Sequence, residues 1–137
     1  MEQNTSKYKL KVLVVDDNLL NRKLACAILR NHDLEYDVAE NGKIAFDFYL
    51  TNNYAMILMD IQMPIMNGIE CARKIREFEK NSNSKLTTPI IAVTAFVMES
   101  DKKNCFEAGM NDFIAKPFKA GDLVDIMSKF IKIKSIA

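Results

Sequence analysis

Side chains that could do chemistry stand at or near the ends of four apolar segments of the chain. In chain order they are Asp16, Asp17, Asp60, Thr94 and Lys116. Carboxylates held close together repel one another, which raises their pKa values unless a cation neutralises them. A hard divalent ion with oxygen ligands, in practice Mg²⁺, is the natural occupant of such a group. The set is therefore suited to phosphoryl transfer, with Asp60 attacking a phosphorus atom in line and Lys116 balancing negative charge.

Asp60 is the candidate for the reacting residue because of the segment that delivers it. Residues 55–59 form a continuous apolar run, AMILM, which is typical of a strand buried on both faces of a parallel sheet. Asp60 ends this run, and Pro64 and Gly68 mark a turn before the next amphipathic segment. An isolated aspartate at such a place often only caps the following helix. The carboxylates, hydroxyl and ammonium at the other strand ends favour a reacting residue instead.

Strand and helix patterns alternate about five times along the chain. The predicted strands cover residues 11–15, 36–39, 55–59, 90–95 and 113–115. The predicted helices follow Asn18 and Asn41-Gly42 and cover residues 69–80, 99–108 and 120–133. This alternation predicts one domain with a doubly wound α/β sheet. Right-handed crossovers would bring the carboxyl ends of all strands to one edge, so the polar side chains would share a cleft.

The spacing of apolar residues predicts which helix faces are buried. In the first helix Leu20, Leu24, Ile28 and Leu29 repeat at helical spacing, and Leu19 lies on the outer side from them. In the fourth helix the inward residues are Cys105, Phe106 and Ala108, with Gly109 as the stop. In the last helix they are Leu123, Val124, Ile126, Met127, Phe130 and Ile131.

Composition excludes several classes of protein. The chain has 137 residues, of which 49% are hydrophobic and 27% charged, as in an ordinary globular domain. A net charge of +1 gives no general argument for binding nucleic acid or an anionic membrane. The three cysteines are widely spaced and suit a reduced, cytoplasmic protein. No apolar run approaches a membrane span or the core of a signal peptide, and residues 1–8 are expected to be a flexible tail.

Four separated motifs resemble the receiver domain of response regulators in two-component signalling. They are VLVVDDN, MILMDIQMPIMNG, IIAVTA and AGMNDFIAKPF, together with the spacing between them, and they are most similar to receivers of hybrid histidine kinases and phosphorelays. The resemblance implies a flavodoxin-like (βα)₅ sheet with strand order 2-1-3-4-5 over residues 9–134, without an output domain. It also implies a cytoplasmic phosphoprotein that takes a phosphoryl group from a histidine kinase or histidine phosphotransfer protein and switches its surface for an unknown downstream protein.

The same resemblance implies a role for each matching position. Asp60 resembles the phosphoacceptor, Asp17 a direct Mg²⁺ ligand and Asp16 a ligand that acts mainly through water; the backbone carbonyl of Gln62 resembles a further ligand. Thr94 and Lys116 resemble the hydroxyl and the ammonium that contact the phosphoryl group. Pro117 resembles the proline that follows this lysine through a cis bond, and Phe113 stands at the aromatic switch position.

Three positions carry expectations particular to this chain. Phe113 has no hydroxyl, so a switch there would work by packing alone. Phe96, two residues beyond Thr94, is bulky and apolar and is expected to impede the water that removes the phosphoryl group. Leu19, with Asn18 and Asn21, is a candidate for docking the helix of the phosphodonor, although a scattered surface leucine needs no special explanation.

Three other functions fit parts of the pattern. A phosphatase of the haloacid dehalogenase type also uses Mg²⁺ and an aspartate nucleophile, but that family has DxD where this chain has Asp16-Asp17-Asn18. A flavin or dinucleotide site would need a glycine-rich loop, and none follows the first strand. A receiver fold that works only as an interaction module, without phosphorylation, would not need the complete set of five polar residues.

Overall fold

Five parallel strands and five helices alternate in the computed structural model, which describes residues 9–83, 87–95 and 98–133. The strands are β1 (Lys11–Val15), β2 (Glu35–Ala39), β3 (Met56–Asp60), β4 (Ile90–Thr94) and β5 (Asp112–Ala115). The helices are α1 (Leu19–Asn31), α2 (Gly42–Thr51), α3 (Gly68–Asn81), α4 (Glu99–Glu107) and α5 (Ala120–Ser128). The sheet order is β2-β1-β3-β4-β5, which confirms the predicted doubly wound topology.

Burial follows from the composition of the strands. Every residue of β3 and β4 is buried, as their continuous apolar runs predict. Alternate residues enter two separate cores: Ile57 and Met59 pack among residues of α2 and α3, while Met56 and Leu58 pack among residues of α1 and α5. Within the described residues, no helix combines the length and the apolar character needed to cross a membrane.

The predicted buried face of α1 is confirmed for Ile28 and Leu29 and is wrong for Leu20 and Leu24. Leu20 and Leu24 have 74% and 46% of their surface exposed, and the residues that face the sheet are Ala25, Cys26, Ile28 and Leu29. Successive residues of an α-helix are rotated by about 100°, so a face centred on Ala25 leaves Leu20 and Leu24 to one side. Small residues at the sheet allow close approach of the helix, and the two leucines remain on the surface.

Two smaller expectations also fail. Phe106 of α4 is exposed, because Cys105 and Ala108 already fill the contact with the sheet. Helix α5 ends at Ser128 rather than at residue 133, and the amide groups of Lys129 and Phe130 donate to carbonyls three residues earlier. Phe130 and Ile131 nevertheless pack against the core beside α1 and α5.

Cys26, Cys71 and Cys105 are buried free thiols, as expected. The predicted tail, residues 1–8, and residue 134 lie outside the described residues.

A buried ion pair fixes the edge of the sheet opposite the candidate site. Glu79 of α3 accepts hydrogen bonds from Arg76 Nη1 (2.7 Å), Tyr49 Oη (3.1 Å) and the Thr88 amide (2.9 Å). The Arg76 guanidinium also donates to the Gly109 carbonyl and to the side chain of Asn111, both at 2.8 Å. These bonds join α2, α3 and the chain segments that enter β4 and β5. The sequence pattern gave no sign of this role for Glu79.

Replacing Glu79 by alanine should lower the free energy of unfolding by about 3 kcal/mol, because it leaves the Arg76 guanidinium in a half-buried position without its carboxylate. Urea denaturation measures the change. Glu77 lies on the same helix and is exposed, so Glu77→Ala is the matched control and should change stability by less than about 0.5 kcal/mol. Equal losses in the two variants would contradict the role of the buried pair.

Candidate functional site

Three carboxylates and one ammonium meet at the carboxyl edge of the sheet. Asp16 follows β1, Asp60 is the last residue of β3, and Lys116 follows β5. Oxygen atoms of Asp16, Asp17 and Asp60 all lie within 4.8 Å of one another. The Lys116 Nζ atom lies 2.9 Å from Asp16 Oδ2 and 3.3 Å from Asp60 Oδ2. The structure therefore brings together the four charged residues that the sequence singled out.

Backbone hydrogen bonds orient the Asp16 carboxylate. Asp16 Oδ1 accepts a hydrogen bond from the Asn18 amide at 2.9 Å, and Asn18 in turn caps α1 by accepting from the Asn21 amide. The guanidinium of Arg22 donates to the backbone carbonyl of Asp16 at 2.8 Å. The start of α1 thus holds both the side chain and the main chain of Asp16. Nothing in the sequence pattern indicated this role for Arg22.

The loop after β3 holds Asp60 through close backbone packing. Asp60 Oδ1 accepts from the Gln62 amide at 3.3 Å, and the Gly68 amide donates to the Ile61 carbonyl at 2.9 Å. A Cβ atom on Gly68 would lie 2.2 Å from the Asp60 carbonyl oxygen, so only glycine fits there. Ile65 of the same loop is exposed and has a φ of 70°. Nothing in the sequence pattern predicted this unusual conformation.

Burial and charge change the pKa values of two groups at this edge. Asp60 is only 5% exposed; burial first, and the negative charge of Asp16 second, raise its pKa to about 6. Burial alone would lower the pKa of Lys116, but its hydrogen bond to Asp16 and the charges of Asp60 and Asp16 outweigh burial and raise that pKa. The cluster therefore carries excess negative charge that a bound cation would relieve.

Thr94 is on β4, and Lys116 directly follows β5, the last strand along the chain. Thr94 is the buried final residue of β4, and its carbonyl accepts a hydrogen bond from the Lys116 amide at 2.8 Å. A small cavity of about 60 Å³ opens beside it; its lining residues are Ile61, Gln62, Ile69, Thr94, Asp101 and Asn104. The bond from Lys116 to Pro117 is cis, as the resemblance implied.

Phe113 is the second of the four residues of β5 and is half-buried. The Lys102 ammonium of α4 lies 4.8 Å from the centre of its ring, and Lys102 also pairs with Glu99 at 3.6 Å. A cation over the ring stabilises this position of the ring. The sequence pattern did not indicate this contact between Lys102 and Phe113. Gln62 is exposed. Phe96 lies outside the described residues, so its predicted effect on hydrolysis stays a prediction.

The donor set fits Mg²⁺. All three acidic side chains offer carboxylate oxygens, which this hard cation prefers, and the described part of the site brings in no sulfur or imidazole. Asp17 is exposed while Asp16 and Asp60 are buried, so the cluster opens to solvent on one side. An anionic substrate could approach from that side, with Lys116 offsetting its charge.

Comparison of the chain with a family model and comparison with known proteins identify the same family. The family model described as "Response regulator receiver domain" matches residues 12–128. Two-component response regulator 24 of Arabidopsis thaliana is 40% identical over 127 residues, which cover 92% of this chain and 87% of that protein. Hybrid signal transduction histidine kinase K of Dictyostelium discoideum is 38% identical over 128 residues. That match covers 91% of this chain and only 11% of the kinase, so the chain spans about a tenth of such relatives.

Two solved structures are similar in both fold and sequence. The receiver domain of the sensor histidine kinase PA1611 from Pseudomonas aeruginosa, with a magnesium ion in its active-site cleft, has a TM-score of 0.79 and 34% identity, covering 90% of this chain and 98% of that one. The receiver domain of Saccharomyces cerevisiae Ssk1, crystallised with the histidine phosphotransfer protein Ypd1, has a TM-score of 0.82 and 34% identity, covering 89% and 88%.

Proposed function

The chain belongs to the response regulator receiver domain family, and from this premise we propose that it accepts a phosphoryl group on Asp60 in a phosphorelay. The observation that carries the proposal is the convergence of Asp16, Asp17, Asp60 and Lys116 at one edge of the sheet. Membership of this family favours a receiver over the phosphatase and dinucleotide-binding alternatives. The predicted cytoplasmic location stays a prediction.

Mg²⁺ is the proposed cofactor. Its ligands would be the carboxylates of Asp17 and Asp60, the Gln62 carbonyl, and Asp16 through water, and when bound it would neutralise phosphoryl oxygens. Two observations support this assignment: the clustered carboxylate oxygens, and the magnesium ion in the cleft of the PA1611 receiver. The raised pKa of Asp60 agrees with it, since excess negative charge makes the cluster a favourable place for a cation.

The protein residues supply the nucleophile and the electrostatic environment. A carboxylate oxygen of Asp60 forms a bond to phosphorus while the bond from phosphorus to the donor's histidine nitrogen breaks, and the electron pair of that bond stays on the nitrogen. Lys116, already 3.3 Å from Asp60, pairs with the charge that the phosphoryl group brings. The Thr94 hydroxyl donates a hydrogen bond to the phosphoryl oxygen. Motion of Thr94 toward the phosphoryl group would leave space for the Phe113 ring to turn. That rotation would have to break the contact between the ring and Lys102.

The proposed phosphodonor is a histidine kinase or a histidine phosphotransfer protein. The Ssk1 receiver, 34% identical to this chain, was crystallised with such a phosphotransfer protein, and several relatives are hybrid histidine kinases. If a longer protein carries this chain, we propose the same role for the chain within it. The downstream partner is an unassigned protein that contacts the changed surface.

Mass spectrometry of the intact protein tests the proposal. After incubation with acetyl phosphate and Mg²⁺, we expect one added phosphoryl group. A chelator should prevent the addition, and release of the group in mild base would identify an acyl phosphate. Absence of any addition to folded protein in Mg²⁺ would argue instead for a receiver that works without phosphorylation.

Leu20 gives a test of the donor surface. It is exposed on the first turn of α1, beside the candidate site, with Leu24 one turn further along. Leu20→Glu should slow transfer from phosphorylated Ypd1 about tenfold, because a charge replaces apolar contact area. Its reaction with acetyl phosphate should not change. The control Leu50→Glu alters an exposed leucine of α2 and should leave both rates intact. Equal slowing with both donors would contradict a docking role. The docking role of Leu19 stays a prediction.

A further inference from the structure

A groove separate from the candidate site runs between α1 and the edge strand β2. Its volume is about 400 Å³, and its lining residues are Leu19, Arg22, Lys23, Cys26, Arg30, Tyr36 and Val38. We call this feature the α1–β2 groove. Leu19 and Arg30 lie near opposite ends of α1, and the rise of an α-helix places them about 16 Å apart. The groove is therefore about three helical turns long.

The floor of the groove is sheet surface that α1 leaves uncovered. Tyr36 and Val38 lie two residues apart on β2, so their side chains point to the same face of the sheet. Tyr36 packs against the core beside α1, whereas Val38 is 41% exposed. Among the described strands, β2 pairs only with β1, so it is an outer strand of the sheet. In α/β folds such a face is normally covered by a helix.

The walls of the groove carry one sign of charge. Arg22, Lys23 and Arg30 line it, and its described lining includes no carboxylate. The whole chain has a net charge of only +1, so this concentration is local. Arg22 donates to the Asp16 carbonyl, and Arg30 donates to the Tyr36 hydroxyl at 2.5 Å. Lys23 is exposed. A guanidinium carries five N–H donors, so both arginines can also pair with further acceptors.

We propose that the α1–β2 groove binds an acidic amphipathic helix of a partner protein. Such a helix lies beside α1 and extends the helical layer over β2. Its apolar residues contact Leu19 and Val38, and its aspartate or glutamate residues pair with Lys23 and Arg30. The shape of an uncovered sheet face selects a helix, and the three cations select negative charge. This site does not depend on phosphorylation of Asp60, and its failure would leave the proposed function untouched.

Selection from a peptide library tests the groove. The probe is a phage-displayed library of helix-favouring peptides of roughly 11 residues, a length that spans the groove, selected on the whole wild-type chain. Expected winners carry net negative charge with leucines one turn apart. Fluorescence anisotropy then gives the Kd of each winner for wild type and for two variants of the groove, Lys23→Glu and Val38→Lys.

Both groove variants should weaken binding about tenfold or more. The control Lys103→Glu makes the same change of charge at an exposed position of α4 and should leave Kd unchanged. Thermal unfolding and reaction with acetyl phosphate verify that each variant is folded. The proposal is overturned if winners are not acidic, or if they bind the groove variants as well as wild type. It is also overturned if no peptide binds the groove, whereas phosphatidylserine vesicles bind the wild-type chain and Lys23→Glu abolishes that binding.

Discussion

Asp60→Asn should abolish phosphoryl addition and, at the same time, make the metal-free protein more stable. The amide lacks the anionic oxygen that attacks phosphorus, so the rate with acetyl phosphate should fall below detection, by at least about 100-fold. The fold should survive, because asparagine keeps the size of the side chain and can still accept from the Gln62 amide. Lys116 keeps its 2.9 Å ion pair with Asp16.

The gain in stability follows from the raised pKa of Asp60. Burial and the nearby Asp16 charge raise that pKa from 3.8 to about 6, so ionised Asp60 opposes folding at neutral pH. One pKa unit corresponds to about 1.4 kcal/mol, and we expect a gain of about 1 to 3 kcal/mol in Asp60→Asn. The Asp60 carboxyl group therefore ionises at lower pH in the unfolded chain than in the folded protein. The stability of wild type should therefore fall as pH rises from about 4 to 6, and that of the variant should not.

Urea denaturation in a chelator measures this difference, and saturating Mg²⁺ should reduce it by binding the wild-type carboxylates. Asp125→Asn, which removes an exposed carboxylate from α5, is the control and should change neither phosphorylation nor stability. Phosphoryl addition to Asp60→Asn at the wild-type rate would show that another residue is the acceptor. A loss of stability in that variant would contradict the electrostatic account of the cluster.

Gly68→Ala should be strongly destabilising and should also weaken Mg²⁺ binding. The added Cβ would lie 2.2 Å from the Asp60 carbonyl oxygen and 2.9 Å from Met59 Cγ, and a backbone atom cannot move aside as a flexible side chain can. The first turn of α3 or the end of β3 must shift. We expect a loss of about 3 kcal/mol in the free energy of unfolding. Mg²⁺ affinity should fall several-fold, because the displaced atom belongs to Asp60 itself.

Gly121→Ala is the matched control, since it lies in α5 with nothing within 4 Å of the added Cβ. Alanine has the higher helix propensity, so this variant should be as stable as wild type or more stable by up to about 1 kcal/mol. Urea denaturation and Mg²⁺ titration of both variants complete the comparison. Similar small effects at the two positions would mean that the β3–α3 connection can adjust without cost.

The sequence by itself determined the order of the elements and the composition of the candidate site. Strands such as β3 and β4 are buried on both faces, so their apolar runs identify them without knowledge of their neighbours. In a parallel sheet the residue that ends each run must lie at one edge. For this reason Asp16, Asp60 and Lys116 could be placed together before any distance was known.

Only the tertiary structure decided which surfaces face solvent. Apolar periodicity indicated that α1 is amphipathic, but Ala25 and Cys26, rather than Leu20 and Leu24, face the sheet. Neighbouring elements and the fit of side-chain volumes select the buried face, and neither is encoded within one helix. The same holds for Glu79, whose partners are distant in the chain, and for the α1–β2 groove. Contacts between residues far apart in sequence leave no local pattern, so these features exist only once the sheet has brought their elements together.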